Sequence, residues 1–292
     1  MAIRPRRSAL YMPGSNARAL EKAKTLAADV VIFDLEDAVS PEAKETAREQ
    51  VVAAVEGGGY GRRELVIRIN GLDTPWGAED LAKAAAAAPD AILVPKVSTA
   101  AQLAEAGKSL AEGPKKISVW AMIETPLAVL NLREIAAAAR DPSTRLCCFV
   151  LGTNDLMKET RAELDENRTA ALYWLSAAVT AARAYGIDVL DGVYNAFRDA
   201  EGFRRECIQG RQLGMDGKTL IHPDQIGPAN EIFSPTAAEV EWSRKILAAF
   251  AEPQNQGKGV ITVDGRMVEL LHAETARRTV EIAEAIAARE GA

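Results

Sequence analysis

The chain has 292 residues, 48% of them hydrophobic, enough for one large core or one core with an appendage. Its formal charge of −6 argues against nucleic acid as a partner, and no apolar run reaches the roughly 18 residues that a membrane span needs. Three cysteines, two of them adjacent, make no disulfide framework and point to a reducing, cytoplasmic setting, while two histidines leave little basis for a histidine or thiolate metal site.

The start, with Arg4, Arg6 and Arg7, has charge but no long apolar segment behind it and reads as no signal peptide; the three arginines are either a solvated terminus or an anion contact. A first candidate strand, 8–12, closes on Tyr11-Met12-Pro13-Gly14-Ser15-Asn16. A helical stretch over 16–27 follows, with Arg18 and Lys22 four residues apart on one face. Such a pair can hold phosphates or simply face water. The second strand, 29–36, ends in Asp34, Glu36 and Asp37, and Ser40-Pro41 opens a helix running to Glu56. The third, 65–70, carries Arg68 late in its run and precedes a helix over 74–88. Strands are expected at 91–97, at 117–124 ending on Glu124, at 146–152 just before Asp155, at 188–193 and at 217–221.

That makes eight short runs rich in Val, Ile and Leu, alternating with Ala-rich helical stretches. Near-continuous hydrophobicity fits parallel strands covered on both faces, and eight of them over roughly 220 residues predict an α/β fold, a (β/α)8 TIM barrel. A doubly wound sheet is the alternative, but no glycine fingerprint opens a helix after a strand and no Walker-type phosphate loop is present. After His222-Pro223 the character changes, so residues 1–232 are assigned to the barrel and 233–292 to a C-terminal helical extension or lid. Ser234-Pro235 caps a helix to about Ala251, a hairpin turns on Asp264-Gly265, and a last helix runs from about Ala273 to Arg289. The extension packs outside the barrel or reaches a neighbouring subunit.

Charges within apolar strands cost several kcal/mol unless paired or metal-bound. Arg68, Glu124 and Asp155, all near strand ends, therefore suggest one polar site at one end of the barrel. Two carboxylates on adjacent strands ~4.8 Å apart suit a hard divalent cation, Mg²⁺ or Mn²⁺; the plain alternative is that each caps the helix after it. Arg68 can fork onto a substrate carboxylate or enolate oxygen, or pair with Glu36 or Asp37 across the strands. Glu36 is expected to hydrogen-bond metal-bound water, and Asp37 to act as a base or as a helix cap.

Six motifs then occur in a telling order: Arg-Ser-Ala-Leu-Tyr-Met-Pro-Gly from Arg7, Asp-Leu-Glu-Asp from Asp34, Ile-Arg-Ile-Asn around Arg68, Ile-Glu-Thr-Pro around Glu124, Gly-Thr-Asn-Asp-Leu around Asp155 and Gly-Lys-Thr-Leu-Ile-His-Pro around His222. Over nearly its whole length the chain resembles the citrate lyase β-subunit-like family of the HpcH/HpaI aldolase superfamily, which includes malyl-CoA and citramalyl-CoA lyases and malyl-CoA thioesterases. The resemblance implies a barrel, a Mg²⁺ ion, a coenzyme A thioester and a 2-oxo acid. It implies that Glu124 and Asp155 hold the metal and that Arg68 holds the acid substrate. Tyr11, Arg18 and Lys22 fall where relatives contact substrate or coenzyme A, and Ile221 and His222 match a segment lining the same pocket. It also implies a homotrimer or hexamer in which the C-terminal segment covers a neighbour's site. Where relatives commonly carry a catalytic aspartate after the Gly-Arg-Met-Val segment, this chain has Glu269, one methylene longer. The reading placed first is a Mg²⁺-dependent lyase that cleaves a malyl-CoA or citramalyl-CoA type of thioester to acetyl-CoA and a 2-oxo acid, with Glu269 or Asp37 as base. The alternatives are a (3S)-malyl-CoA thioesterase on the same scaffold and a citrate lyase β subunit acting on a carrier-protein thioester.

Overall fold

Strands covered on both faces form where the apolar runs predict them, and all eight are present. The computed structural model describes residues 3–111 and 117–290. Strands β1 (Ser8–Pro13), β2 (Val30–Asp34), β3 (Glu64–Arg68), β4 (Ala91–Val94), β5 (Ser118–Ile123), β6 (Leu146–Leu151), β7 (Asp188–Asp191) and β8 (Gly217–Leu220) pair in parallel and in chain order, and β8 returns to β1 to close a barrel. Alternation along each strand sends one set of side chains inward. Val30, Ile32, Val66, Leu93, Trp120, Met122, Val150 and Leu190 fill the interior as one buried cluster. The other set faces the helices between the strands: α1 (Ala17–Ala23), α2 (Lys44–Gly57), α3 (Gly77–Ala87), α4 (Ala100–Ser109), α5 (Pro126–Leu130), α6 (Leu132–Ala137), α7 (Thr153–Thr160), α8 (Leu172–Tyr185) and α9 (Ala200–Leu213).

Most strands stop one to three residues before their expected ends. Glu36, Asp37, Asn70 and Glu124 consequently lie in the loops just past β2, β3 and β5. Asp155 differs more from its expected position. It is the third residue of α7, because the strand ends at Leu151 and helix begins at Thr153. An acid in the first turn of a helix is favoured by the unpaired N–H groups there.

At the opposite end of the barrel, Arg6 ties the beginnings of two strands together. Its guanidinium meets Glu64 at 2.8 Å and Asp188 at 2.6 Å, and it sits 4.9 Å over the Trp120 ring. Arg7 pairs with buried Asp29 at 2.9 Å. These two arginines are therefore neither a solvated terminus nor an open anion site. Between β7, β8 and α9 lies a buried charge network. Asp191 and Lys218 stand opposite each other in register. Lys218 Nζ donates to Asp191 (3.1 Å), to Glu206 (2.5 Å) and to the Gly192 carbonyl (2.5 Å), while Arg168 Nη1 reaches both Asp191 oxygens at 2.8 Å.

The chain divides into two compact units, Arg6–Glu231 and the segment from Ile232 onward with the residues before Arg6. Helix α10 (Ile226–Phe233) runs across that boundary. In the second unit α11 (Ala237–Ala251) and α12 (Leu270–Glu290) pack with a hairpin of β9 (Val260–Val263) and β10 (Arg266–Glu269) around Ile246, Ile261, Val263 and Val268. Asp264 and Gly265 both have positive φ, 48° and 76°, as the tightest hairpin turn requires. The cap of α11 is Thr236, in a reciprocal box with Glu239, rather than Ser234. The last helix begins three residues earlier than expected, at Leu270. Among the described residues no helix is long and apolar enough to cross a membrane.

Candidate active site

A cavity of about 280 Å³ opens at the C-terminal ends of the strands, lined by Tyr11, Asp34, Asp37, Arg68, Met122, Glu124, Thr153, Asn154, Asp155, Asn195, Thr219 and Ile221 among others. Arg68, the last residue of β3, is its electrostatic centre. Nε and Nη2 fork onto Asp34 at 2.7 and 2.6 Å, and Nη1 lies 2.9 Å from Glu36 and 3.3 Å from Asp37. The guanidinium also lies 4.8 Å over the Tyr11 ring. The cross-strand ion pair expected as one option for Arg68 is present, with Asp34 as its main partner. Sequence reasoning names Asp34 only as one of three acids at the end of the second strand, without this role. Its two oxygens also accept the N–H groups of Glu36 (2.9 Å) and Ala38 (3.1 Å), so one carboxylate orients both the arginine and the loop.

Glu36 is buried, and its Oε2 has no hydrogen-bond partner among the described residues despite its short distance to Arg68, because the two are poorly aligned. Burial pushes its pKa up to about 7, against the pull of Arg68. Glu124, one residue past β5, is 1% exposed. Its Oε1 accepts the Lys96 N–H at 2.7 Å. Burial raises the Glu124 pKa to about 8; neighbouring Glu36 and Asp155 add to the rise, while the Lys96 N–H and Arg68 oppose it. Lys96 delivers that N–H from a left-handed backbone (φ 51°), an unfavourable conformation for a side chain other than glycine. Gly152 completes the cradle: a Cβ there would overlap the Glu124 side chain and carboxylate.

Four carboxylates, Asp34, Asp37, Glu124 and Asp155, thus line one mouth with Arg68, and Glu36 and Lys96 lie close beside them. Arg68 is committed to Asp34. Glu124 and Asp155 have no ion-pair partner of their own among the described residues. Their hard oxygens and the acidic surplus fit a divalent cation such as Mg²⁺, which takes one or two carboxylates and leaves positions for water and substrate. The described residues hold no closed set of three or more His, Cys, Asp or Glu ligands.

The remaining candidates are more scattered. Tyr11 and Ile221 line the cavity, and Ile221 is 40% exposed. Arg18 and Lys22 are exposed on α1, outside the cavity lining. His222 caps a 3-10 turn, accepting the Asp224 N–H at its Nδ1 (3.3 Å), and stacks on Phe197 with ring centres 4.8 Å apart. Glu269 ends β10 in the second unit, and its N–H donates to His272 Nδ1 at 2.9 Å. Asn154 and Asn195 are missed altogether by sequence reasoning. Their amides bond to each other at 2.8 and 3.3 Å and link the first turn of α7 to the loop after β7.

The raised carboxyls predict a pH dependence of folding. Glu36 and Glu124 bind protons more tightly folded, at about 7 and about 8, than at their ordinary 4.5. Their contribution to stability is therefore full below about 4.5 and is lost as pH rises through 7 to 8. Calorimetric melting of metal-free protein should show a larger fall in Tm between about pH 6 and about pH 9 for wild type than for Glu124→Gln. Parallel curves would remove Glu124 as the source.

The sequence pattern described as HpcH/HpaI aldolase/citrate lyase matches residues 7–223. The chain belongs to this family. A (3S)-malyl-CoA thioesterase of Cereibacter sphaeroides is 49% identical over 284 residues, covering 97% of this chain and 96% of that protein. The citrate lyase β subunit of Escherichia coli is 34% identical over 294 residues, covering 98% and 96%. Among solved structures, CitE of Mycobacterium tuberculosis in complex with magnesium, acetoacetate and coenzyme A is 31% identical, with a TM-score of 0.73 over 94% of this chain and 97% of that one. The family's barrel and the closed barrel described above agree, and the six sequence motifs lie inside the matched span.

Proposed function

We propose that this family member is a Mg²⁺-dependent hydrolase of a (3S)-malyl-CoA type of thioester. The observation that carries the reading is near-full-length identity of 49–51% to (3S)-malyl-CoA thioesterases, joined to an acidic mouth built around Arg68. The order of preference drawn from sequence, lyase before thioesterase, is therefore reversed. Carbon–carbon cleavage remains the second reading, favoured by the family description and by citrate lyase β subunits at 34–37% identity.

In the proposed reaction Glu124 and Asp155 hold the metal, which would supply Lewis-acid polarisation of substrate oxygens. Arg68 keeps its fork on Asp34 and turns Nη1 to the substrate's carboxylate, in the place where Asp37 now sits 3.3 Å away. The displaced Asp37, 65% exposed at its side chain, is free to orient water. Water oxygen bonds to the thioester carbonyl carbon, the C–S bond breaks, the base takes the water's proton, and the departing thiolate is protonated. Two carboxylates compete for the base: Asp37 on geometry, and Glu269 on resemblance. Comparing Asp37→Asn with Glu269→Gln separates them, since the true base should lose about 10²-fold or more in kcat with little change in KM.

Coenzyme A recognition by Arg18, Lys22 and His222 belongs to the same proposal, as do a cytoplasmic location and a homotrimer or hexamer. Exposed Met267, Leu270 and Leu271 on the second unit support self-association. The function is tested by incubating the protein with Mg²⁺ and malyl-CoA while following free thiol and 2-oxo acid in parallel. Thiol and malate without oxo acid are expected. Oxo acid with acetyl-CoA would replace hydrolysis by cleavage.

A further inference from the structure

Lys44 is an odd place for a cation. It is the first residue of α2, directly behind a 3-10 turn over Pro41–Ala43 that already takes up its N–H, and it is 6% exposed. No carboxylate lies within ion-pairing distance of its ammonium among the described residues. Instead Nζ donates to two backbone carbonyls, Leu35 O at 2.8 Å and Glu36 O at 2.7 Å. Those carbonyls belong to the two peptide groups that flank Glu36. Holding both planes fixes the φ and ψ of Glu36, and with them the direction of its side chain.

The rest of the loop is pinned from other sides. Asn70 Nδ2 donates to the same Leu35 carbonyl (2.9 Å) and to Asp80 (2.6 Å), and Arg48 Nε holds Asp80 at 2.6 Å. Asp34 takes the N–H groups of Glu36 and Ala38. Within this scaffold Lys44 is the cation whose donors go to the backbone of the acid loop itself.

We infer that Lys44 is a positioning residue of the active site, clamping the peptide groups on both sides of Glu36 so that Glu36 is presented to Arg68. The kinetic part of the test rests on the hydrolase reading above; the exchange part does not. Lys44→Met keeps the apolar stem and removes the donors. It should lower kcat by roughly 10- to 100-fold, as displacement of an active-site group by about 1 Å does, with KM within about threefold. Lys44→Arg, which keeps charge and donors, should recover most of the loss. In a Glu36→Gln background, Lys44→Met should cost little more, because the two act through one element.

Amide hydrogen exchange, read on the same variants without substrate, should quicken about tenfold or more at residues 36–39 in Lys44→Met and stay unchanged in the barrel strands. A wild-type protein that leaves malyl-CoA intact would end the hydrolase reading while exchange still decides the role of Lys44. Three results overturn the inference: full kcat in Lys44→Met, an equal loss with or without Glu36→Gln, or exchange that quickens across the whole barrel.

Discussion

On the proposed hydrolase reading, Glu124→Gln should abolish Mg²⁺-dependent turnover, a loss of more than about 100-fold, while leaving the barrel as stable as before or more so. The replacement is isosteric. The amide oxygen can still accept the Lys96 N–H, and the carboxylate removed is one that burial already pushes toward protonation, with a pKa of about 8. Charge leaves a mouth that holds an excess of acids, so folding gains where function is lost. Asp155→Asn should match the kinetic loss with a smaller gain in stability, since Asp155 is only half-buried. Calorimetric Mg²⁺ titration beside thermal melting checks both statements. Full Mg²⁺ affinity in Glu124→Gln would remove it from the metal site.

The largest effect on folding is expected from Asp191→Ala. Burial alone would raise the pKa of this fully buried carboxyl, but Lys218 and Arg168 outweigh it and hold Asp191 ionised below its ordinary value. Deleting the carboxylate leaves an ammonium and a guanidinium, 0% and 2% exposed at their side chains, to share Glu206. Breaking a buried pair from one side costs about 3–5 kcal/mol. The damage should reach the mouth as well, because Lys218 holds the Gly192 carbonyl and the Asn195 loop follows. Urea unfolding measures the loss, and a value under about 1 kcal/mol would mean that Glu206 suffices.

The barrel is readable because its strands are buried on both faces, so apolar runs such as Val30–Phe33 announce themselves without any partner being known. Glu124 is readable for the same reason, as a carboxylate that interrupts such a run. Asp34 is not. It sits within an equally apolar stretch, and its meaning depends on standing beside Arg68 in the register of β2 against β3, which no single strand reveals. Asn195 lies in a loop with no periodicity, and its partner Asn154 is 41 residues away. Nothing in the sequence around Lys44 announces its burial, which comes with the carbonyls of the loop after β2 and the Trp76 ring, 5.4 Å from its ammonium. The reading of Ser234-Pro235 as a cap fails because the better box, Thr236 with Glu239, begins two residues later.

The arginine wedged against Trp120 has a kinetic consequence. The barrel is filled with side chains and fastened by that arginine at its far end, and among the described residues its site opens at the other end, in the cavity above Arg68. Whatever is consumed must enter, and whatever is made must leave, through the same opening above Arg68. Traffic through one doorway cannot pass in both directions at once. On the proposed hydrolase reading, accumulated thiol product should therefore act as a competitor of incoming thioester.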